Sequence, residues 1–254
     1  PWTMYLQYGD TRILEENYAA MSKLIDCLMN QSENYVRTVV QAYGDWLSLE
    51  NTPYEVTENA YTAYAAHLMM KIAEILGKTE DVTKFETIYK GYREQWNLLC
   101  TDGNGKTNCD TQTSYVRGLE SKPFDESVRE TAAARLAELV VNNGYRLKTG
   151  FMGVKLLNKV LTDYGYSAVA YRLLEQEQYP SWLYLVNAGL TTIPEKWDAL
   201  TDNGDGTYKI VFNQNHFNNG SVFEWVYRYV LGIDTDETVG GYRKIVLHPT
   251  PGGT

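Results

Sequence analysis

From Thr11 to Ser32 the apolar positions fall at Ile13, Leu14, Tyr18, Met21, Leu24, Ile25 and Leu28. That three-to-four spacing puts a stripe on one side of a helix. Asp10 stands where an N-cap is expected, and the polar run Asn30 to Ser32 weakens the far end. The same pattern predicts helices over 57–78, with Thr57 capping and Gly77 terminating, and over 81–100 after a short KTE turn. A further helix starts in DTQTSYVRGL after the polar loop 101–110, and a strong one covers 125–144, with a capping-box-like DESV start and Gly144 at its end. Shorter helices are predicted over 152–163, 165–176 and 180–188, and a last long one over 215–233. Strand signal is thin. GDGTYKIVF (204–212) reads as half of a small hairpin, and YRKIVLHP (242–249) as a C-terminal strand. Helix pairs joined by short turns without a fixed short period build bundles, superhelices or closed α/α barrels, and periodicity alone does not choose among them.

Composition narrows the picture. The 254 residues suffice for one large domain, and no apolar run approaches the length needed to cross a bilayer. A net charge of −9 disfavours nucleic acid as a partner. The 21 Tyr and 6 Trp against 6 Phe favour walls that are part apolar and part wet, such as sugar clefts, although most of the tyrosines suffice as helix packing. Cys27 reads as a small core residue. Cys100 and Cys109 bracket TDGNGKTN and could close it as a disulfide, but two free thiols fit better in a chain that otherwise shows no stapling. No cysteine–histidine cluster offers a metal site, and the loops TDGNGKTNCD and TDNGDGTYK lack the spacing of a twelve-residue calcium loop. The chain opens on PWTMYLQYGD and stops at KIVLHPTPGGT, which reads as a segment of a larger protein with upstream and downstream parts missing.

The chemistry concentrates in GLTTIPEKWDAL, residues 189–200. Pro194 fixes its own φ and restricts Ile193, so Glu195 has a defined direction on a loop. The competing reading makes Glu195 a first-turn residue of a helix over EKWDAL. His216 sits amid Asn213, Asn215, Asn218 and Asn219 at the opening of a helix, and is either a satisfied core histidine or part of a wet site. Trp46 follows YGD between helices and either stacks on a sugar face or plugs a rim. Trp182 and Trp197 read first as packing with a lesser claim to touch a ligand, Trp96 and Trp225 as core, and Asp45 as a residue that orients its neighbours.

Taken in order, the segments PWTMYLQYGDTRILEENYAAM, YGDWL, TGFMGVKLLNKVLTDYGYSAVAYRLLEQEQYPSWLYLVNAGLTTIPEKWDA, NHFNNGSVFEWVYRYVLGI and GYRKIVLHPTPGG resemble the catalytic domain of bacterial α-L-rhamnosidases, glycoside hydrolase family 78, over nearly the whole chain. The resemblance implies an all-α (α/α)6 barrel, incomplete here, with a small hairpin and a C-terminal strand: 1–241 the partial barrel and 242–254 the start of a β-sandwich. It implies inverting hydrolysis of terminal α-L-rhamnosides with no metal or organic cofactor. Glu195 matches the general base, and Trp46, His216, Trp197 and Asp45 stand as the substrate-facing set. Two positions depart from the family pattern: Pro194 where an aromatic is usual, and Lys196 where Arg is usual, which loses a planar fork but keeps a charge. The general acid has no counterpart in the chain and is expected upstream. Bacterial cytoplasm and periplasm both remain open, and helix faces left uncovered would favour a homo-oligomer. Another α/α-barrel glycosidase or phosphorylase, or a non-catalytic carbohydrate-binding helical module, are the alternatives.

Overall fold

The computed structural model describes residues 1–39 and 43–253. Helices α1 (Trp2–Tyr8) and α2 (Arg12–Asn30) lead to a two-residue hairpin, β1 (Ser32–Glu33) and β2 (Val36–Arg37). Three helical hairpins follow: α3 (Tyr54–Ile75) with α4 (Thr79–Cys100), α5 (Gln112–Glu120) with α6 (Arg129–Asn142), and α7 (Val154–Asp163) with α8 (Ser167–Glu175). Next come α9 (Trp182–Asn187), the hairpin β3 (Leu200–Asp202) and β4 (Tyr208–Ile210), and the short helices α10 (Phe217–Gly220) and α11 (Val222–Trp225). The chain closes with β5 (Ile233–Thr235) paired antiparallel to β6 (Ile245–Leu247).

Helix α3 packs on α5, α5 on α7 and α7 on α11, while α4, α6 and α8 back the first members of the hairpins. This is an arc of an α/α barrel. Helix α5 is enclosed on every side, with Gln112 to Leu119 all buried. Its Gly118 permits that closeness: a Cβ there would stand 2.4 Å from the Phe124 ring and 2.7 Å from Trp96. Trp96 in turn donates its indole N–H to Val56 O at 2.9 Å and meets Phe124 edge-on at 4.9 Å, which satisfies the polar atom of a fully buried ring. One apolar core runs from the start of α3 and the end of α4 through α5–α9 to Trp225, and a second joins α1, α2 and the opposite ends of α3 and α4.

Gly77 and Gly144 end their helices with φ of 69°, as expected. Other expectations need correction. The N-cap of α2 is Thr11, and Asp10 instead accepts the Arg12 N–H at 3.0 Å. Helix α3 begins at Tyr54, so Thr57 lies inside it and donates to Tyr54 O. Asp125 makes no capping bond. It pairs with Arg93, and a single 3-10 turn over Glu126–Val128 precedes α6. The run 215–233 is not one helix: it breaks at Ser221 and passes from α11 into a π turn over Val226–Val230. Cys27 and Leu24 point outward rather than into the core, on an exposed face of α2. All three cysteines are free, and Cys100, with its thiol pushed up to about 12 by burial, is chemically quiet. The C-terminal strand pairs within the chain, and the residues after it dock on the helices, where Tyr171 donates to Thr250 O at 2.6 Å.

Candidate active site

The loops that precede α3, α5, α7 and α10 are tied together at one end of the arc. Thr52 and Thr111, the N-cap of α5, share a hydroxyl hydrogen bond of 2.7 Å. Gln112 donates its backbone N–H to Glu50 and its side chain spans to Arg146 O and Lys148 N. Burial raises the Glu50 carboxyl above its ordinary value, partly offset by the Gln112 N–H and Lys148. Helix N-termini carry unsatisfied N–H groups and the positive end of the helix dipole, so this rim suits oxygen ligands and carboxylates.

Asp45 is the central staple. Its Oδ1 accepts from Met152 N at 2.7 Å, and its Oδ2 accepts from Gly150 N at 2.9 Å and from Thr113 Oγ1 at 2.5 Å. Desolvation raises its carboxyl pKa against those three donors. Gly150 is obligatory here: a Cβ would fall 2.2 Å from Trp46 O. Phe151 N donates to that same Trp46 carbonyl at 3.0 Å. The indole of Trp46 stays 42% exposed and meets the Tyr43 ring edge-on at 5.5 Å. The wall it offers is thus open while its backbone is locked.

The Phe151 ring reaches His216, centroid to centroid 5.0 Å, and Phe217 stacks on the imidazole at 4.9 Å. His216 caps α10 by accepting the Asn218 N–H on Nδ1 at 3.3 Å. In the neutral imidazole that leaves Nε2 as an N–H donor. His216 N donates to Ile193 O at 2.9 Å, which brings the imidazole beside the Glu195 loop.

Residues 195–199 form no helix, which removes the capping reading of Glu195. Its loop is latched from behind. The buried Asn219 donates Nδ2 to both Pro194 O and Glu195 O at 3.0 Å, and its own carbonyl accepts the Trp182 indole N–H at 2.7 Å. Asn213 grips residue 195 twice, accepting its backbone N–H at 3.1 Å and donating Nδ2 to Oε2 at 2.7 Å. The hairpin β3–β4 lies within the segment between the two. Lys196 turns away from Glu195, over the Phe212 ring at 4.6 Å and toward Asp198 at 3.4 Å.

The geometry reassigns two members of the expected set. Trp197 is only 2% exposed and packs edge-on against Trp182 at 5.3 Å, so its ring has no face to offer a ligand. Asp45 is buried with both oxygens committed, and acts on Trp46 and Phe151 rather than on a ligand. Glu195, His216 and Trp46 remain, linked through Phe151, a residue that the sequence alone did not single out. The motif TGFMG carried the signal, since a Gly at 150 marks close backbone approach. A cavity of about 540 Å³ lies elsewhere, on the concave side between α1, α3 and α7. Its charges are paired with one another, as in Lys159–Glu120, Lys155–Glu224, Arg228–Asp234 and Lys71–Glu237. Among the described residues no group of acidic, histidine and cysteine side chains could hold a metal ion.

Residues 1–230 match the family model described as the bacterial alpha-L-rhamnosidase 6 hairpin glycosidase domain. The chain belongs to that family. An alpha-L-rhamnosidase of Streptomyces avermitilis is 35% identical over the entire chain, and one of Formosa agariphila 33% over 99% of it. The chain spans 24% and 28% of the length of these two relatives. The crystal structure of the Streptomyces avermitilis alpha-L-rhamnosidase complexed with L-rhamnose superposes on the whole chain with a TM-score of 0.92 at 36% identity, covering 24% of that protein. The alpha-L-rhamnosidase of Aspergillus terreus superposes with 0.88 at 26% identity, with 30% of its length covered. The arc of helical hairpins is therefore part of a six-hairpin glycosidase barrel, and the rim described above is a rim of that barrel.

Proposed function

We propose that the protein containing this chain removes terminal α-L-rhamnose from rhamnosides with inversion, and that Glu195 is the general base. In this reading the Glu195 carboxylate takes a proton from water as the water oxygen attacks the anomeric carbon. The glycosidic C–O bond breaks as a general acid, lying outside residues 1–254, protonates the leaving oxygen. The α-linked sugar is released as the β-anomer. Trp46 supplies a wall for the apolar face of the ring and His216 donates from Nε2 to a sugar hydroxyl. Asp45 and Trp197 hold the scaffold. The observation that carries the reading is the placement of the Glu195 loop, pinned at both of its ends, on the same helix-N-terminal rim as His216 and Trp46.

The test is turnover of an aryl α-L-rhamnoside by the full-length protein. Glu195→Gln keeps the shape and removes the basicity, and is expected to lower kcat by about 10³-fold with the fold intact. Proton NMR of the first-formed sugar is expected to show the β-anomer. A Glu195→Gln enzyme within tenfold of wild type, or first release of the α-anomer, refutes the assignment.

A further inference from the structure

We infer that Asn213 is a positioning residue for the Glu195 carboxylate, fixing one oxygen so that the other faces the attacking water; the inference rests on Glu195 being the base. Asn213 holds residue 195 at both ends, through Glu195 N to Asn213 O at 3.1 Å and Asn213 Nδ2 to Oε2 at 2.7 Å. A free glutamate samples several rotamers about three bonds. With Oε2 tied down, the carboxylate plane is set and Oε1 is left to accept a proton. A neutral amide suits this task. An Arg or Lys in its place would form a charge-assisted bond, stabilise the anion more and blunt its basicity. The nearest cation along the chain, Lys196, is spent on Phe212 and Asp198 instead. The other ionisable groups of this loop cluster are Asp198 and His216, and neither has a bond to the Glu195 carboxylate.

A purely architectural role is carried by different atoms. The backbone bond from Glu195 to Asn213 O survives any side-chain change, and Asn219 independently fixes the carbonyls of Pro194 and Glu195. Asn213→Ala therefore removes the carboxylate's partner and leaves the latch.

Four forms of the full-length protein separate the possibilities: Asn213→Ala, Asn213→Asp, Glu195→Gln and the double variant Asn213→Ala with Glu195→Gln. Asn213→Ala is expected to lower kcat by about tenfold with KM within about twofold, because misaligning a reacting group by a fraction of an ångström costs that much. Asn213→Asp, which presents a carboxylate oxygen in place of the Nδ2 donor, is expected to lower kcat by at least as much, again with little change in KM. In the Glu195→Gln background, Asn213→Ala is expected to cost nothing more. A kcat within about twofold of wild type in both Asn213→Ala and Asn213→Asp, or the same tenfold loss with Glu195 already replaced, overturns the inference. An active Glu195→Gln enzyme instead overturns the base assignment, so the two failures are distinguishable. Asn213→Asp is isosteric and keeps the test open if the alanine variant folds poorly.

Discussion

At the residue scale, the site depends on a few backbone approaches that no side chain could tolerate. Gly150 is the tightest. A methyl group there would collide with Trp46 O and Ser48 N at 2.2 and 2.6 Å, both backbone atoms with nowhere to go. Gly150→Ala is therefore expected to destabilise the chain by about 3 kcal/mol, read as a lowered urea midpoint, and to change the fluorescence of Trp46, whose carbonyl and indole lie on the displaced loop. Sequence reading singled out Glu195, His216 and Trp46 because a carboxylate on a proline-fixed loop, a histidine among asparagines and a tryptophan between helices are unusual enough to stand out. It ranked Trp46 above Trp197 as a ligand wall yet kept Trp197 in the substrate-facing set, although the Trp197 ring is sealed against Trp182. Burial is a three-dimensional property, and Trp182, which covers the Trp197 ring, is not adjacent to it in sequence. Asn213 was visible only as one of several asparagines. What distinguishes it is the bond across a hairpin.

At the scale of elements, the long amphipathic helices were legible and their ends less so. Helix α3 starts three residues before the threonine expected to cap it, because Pro53 supplies the fixed φ that lets Tyr54 begin the helix. The last helix was overextended by its apolar periodicity. The break at Ser221 comes from its hydroxyl turning back on Asn218 O, a local bond that competes with the helix ladder. Thr111 shows how much one cap can do. Its hydroxyl accepts the Ser114 N–H at 3.3 Å and shares a bond with Thr52, tying the start of α5 to the loop before α3. Thr111→Ala loses the cap and strands the Thr52 hydroxyl in a buried place, with an expected cost of about 2 kcal/mol. Thermal unfolding of the purified chain checks it, and Thr111→Ser, which keeps the hydroxyl, is expected to recover most of the loss.

At the scale of the molecule, two cores meet in one hairpin. The α3–α4 pair gives Val56, Ala60 and Trp96 to the larger core and Ala63 to Ala73 with Phe85 to Tyr92 to the smaller one, so it joins them mechanically. The barrel class was not decided by periodicity, which left bundles and superhelices open; it came from the succession of motifs, and the packing of α3, α5, α7 and α11 now gives it a physical basis. Along the last helical run Phe217 is 81% exposed, and Phe223, Tyr227 and Leu231 lie outward at helical spacing. An exposed apolar stripe of that size is sticky. The isolated 254-residue polypeptide is expected to self-associate, seen as a concentration-dependent mass by light scattering after size exclusion, and Phe223→Lys with Leu231→Lys to shift it toward the monomer. A concentration-independent monomer in the parent polypeptide would show that the stripe drives no association.

The hairpin that separates Glu195 from Asn213 is closed off at its foot by their mutual grip and by Val211 N donating to Ala199 O at 2.9 Å. Events beyond that clasp have no lever on the carboxylate. Lengthening, shortening or swapping the outer turn at Asn203 to Gly206 would leave the bonds that hold that carboxylate in place. The tip of the hairpin is thus free to vary, in nature or in the laboratory, while the clasp at its foot keeps its geometry.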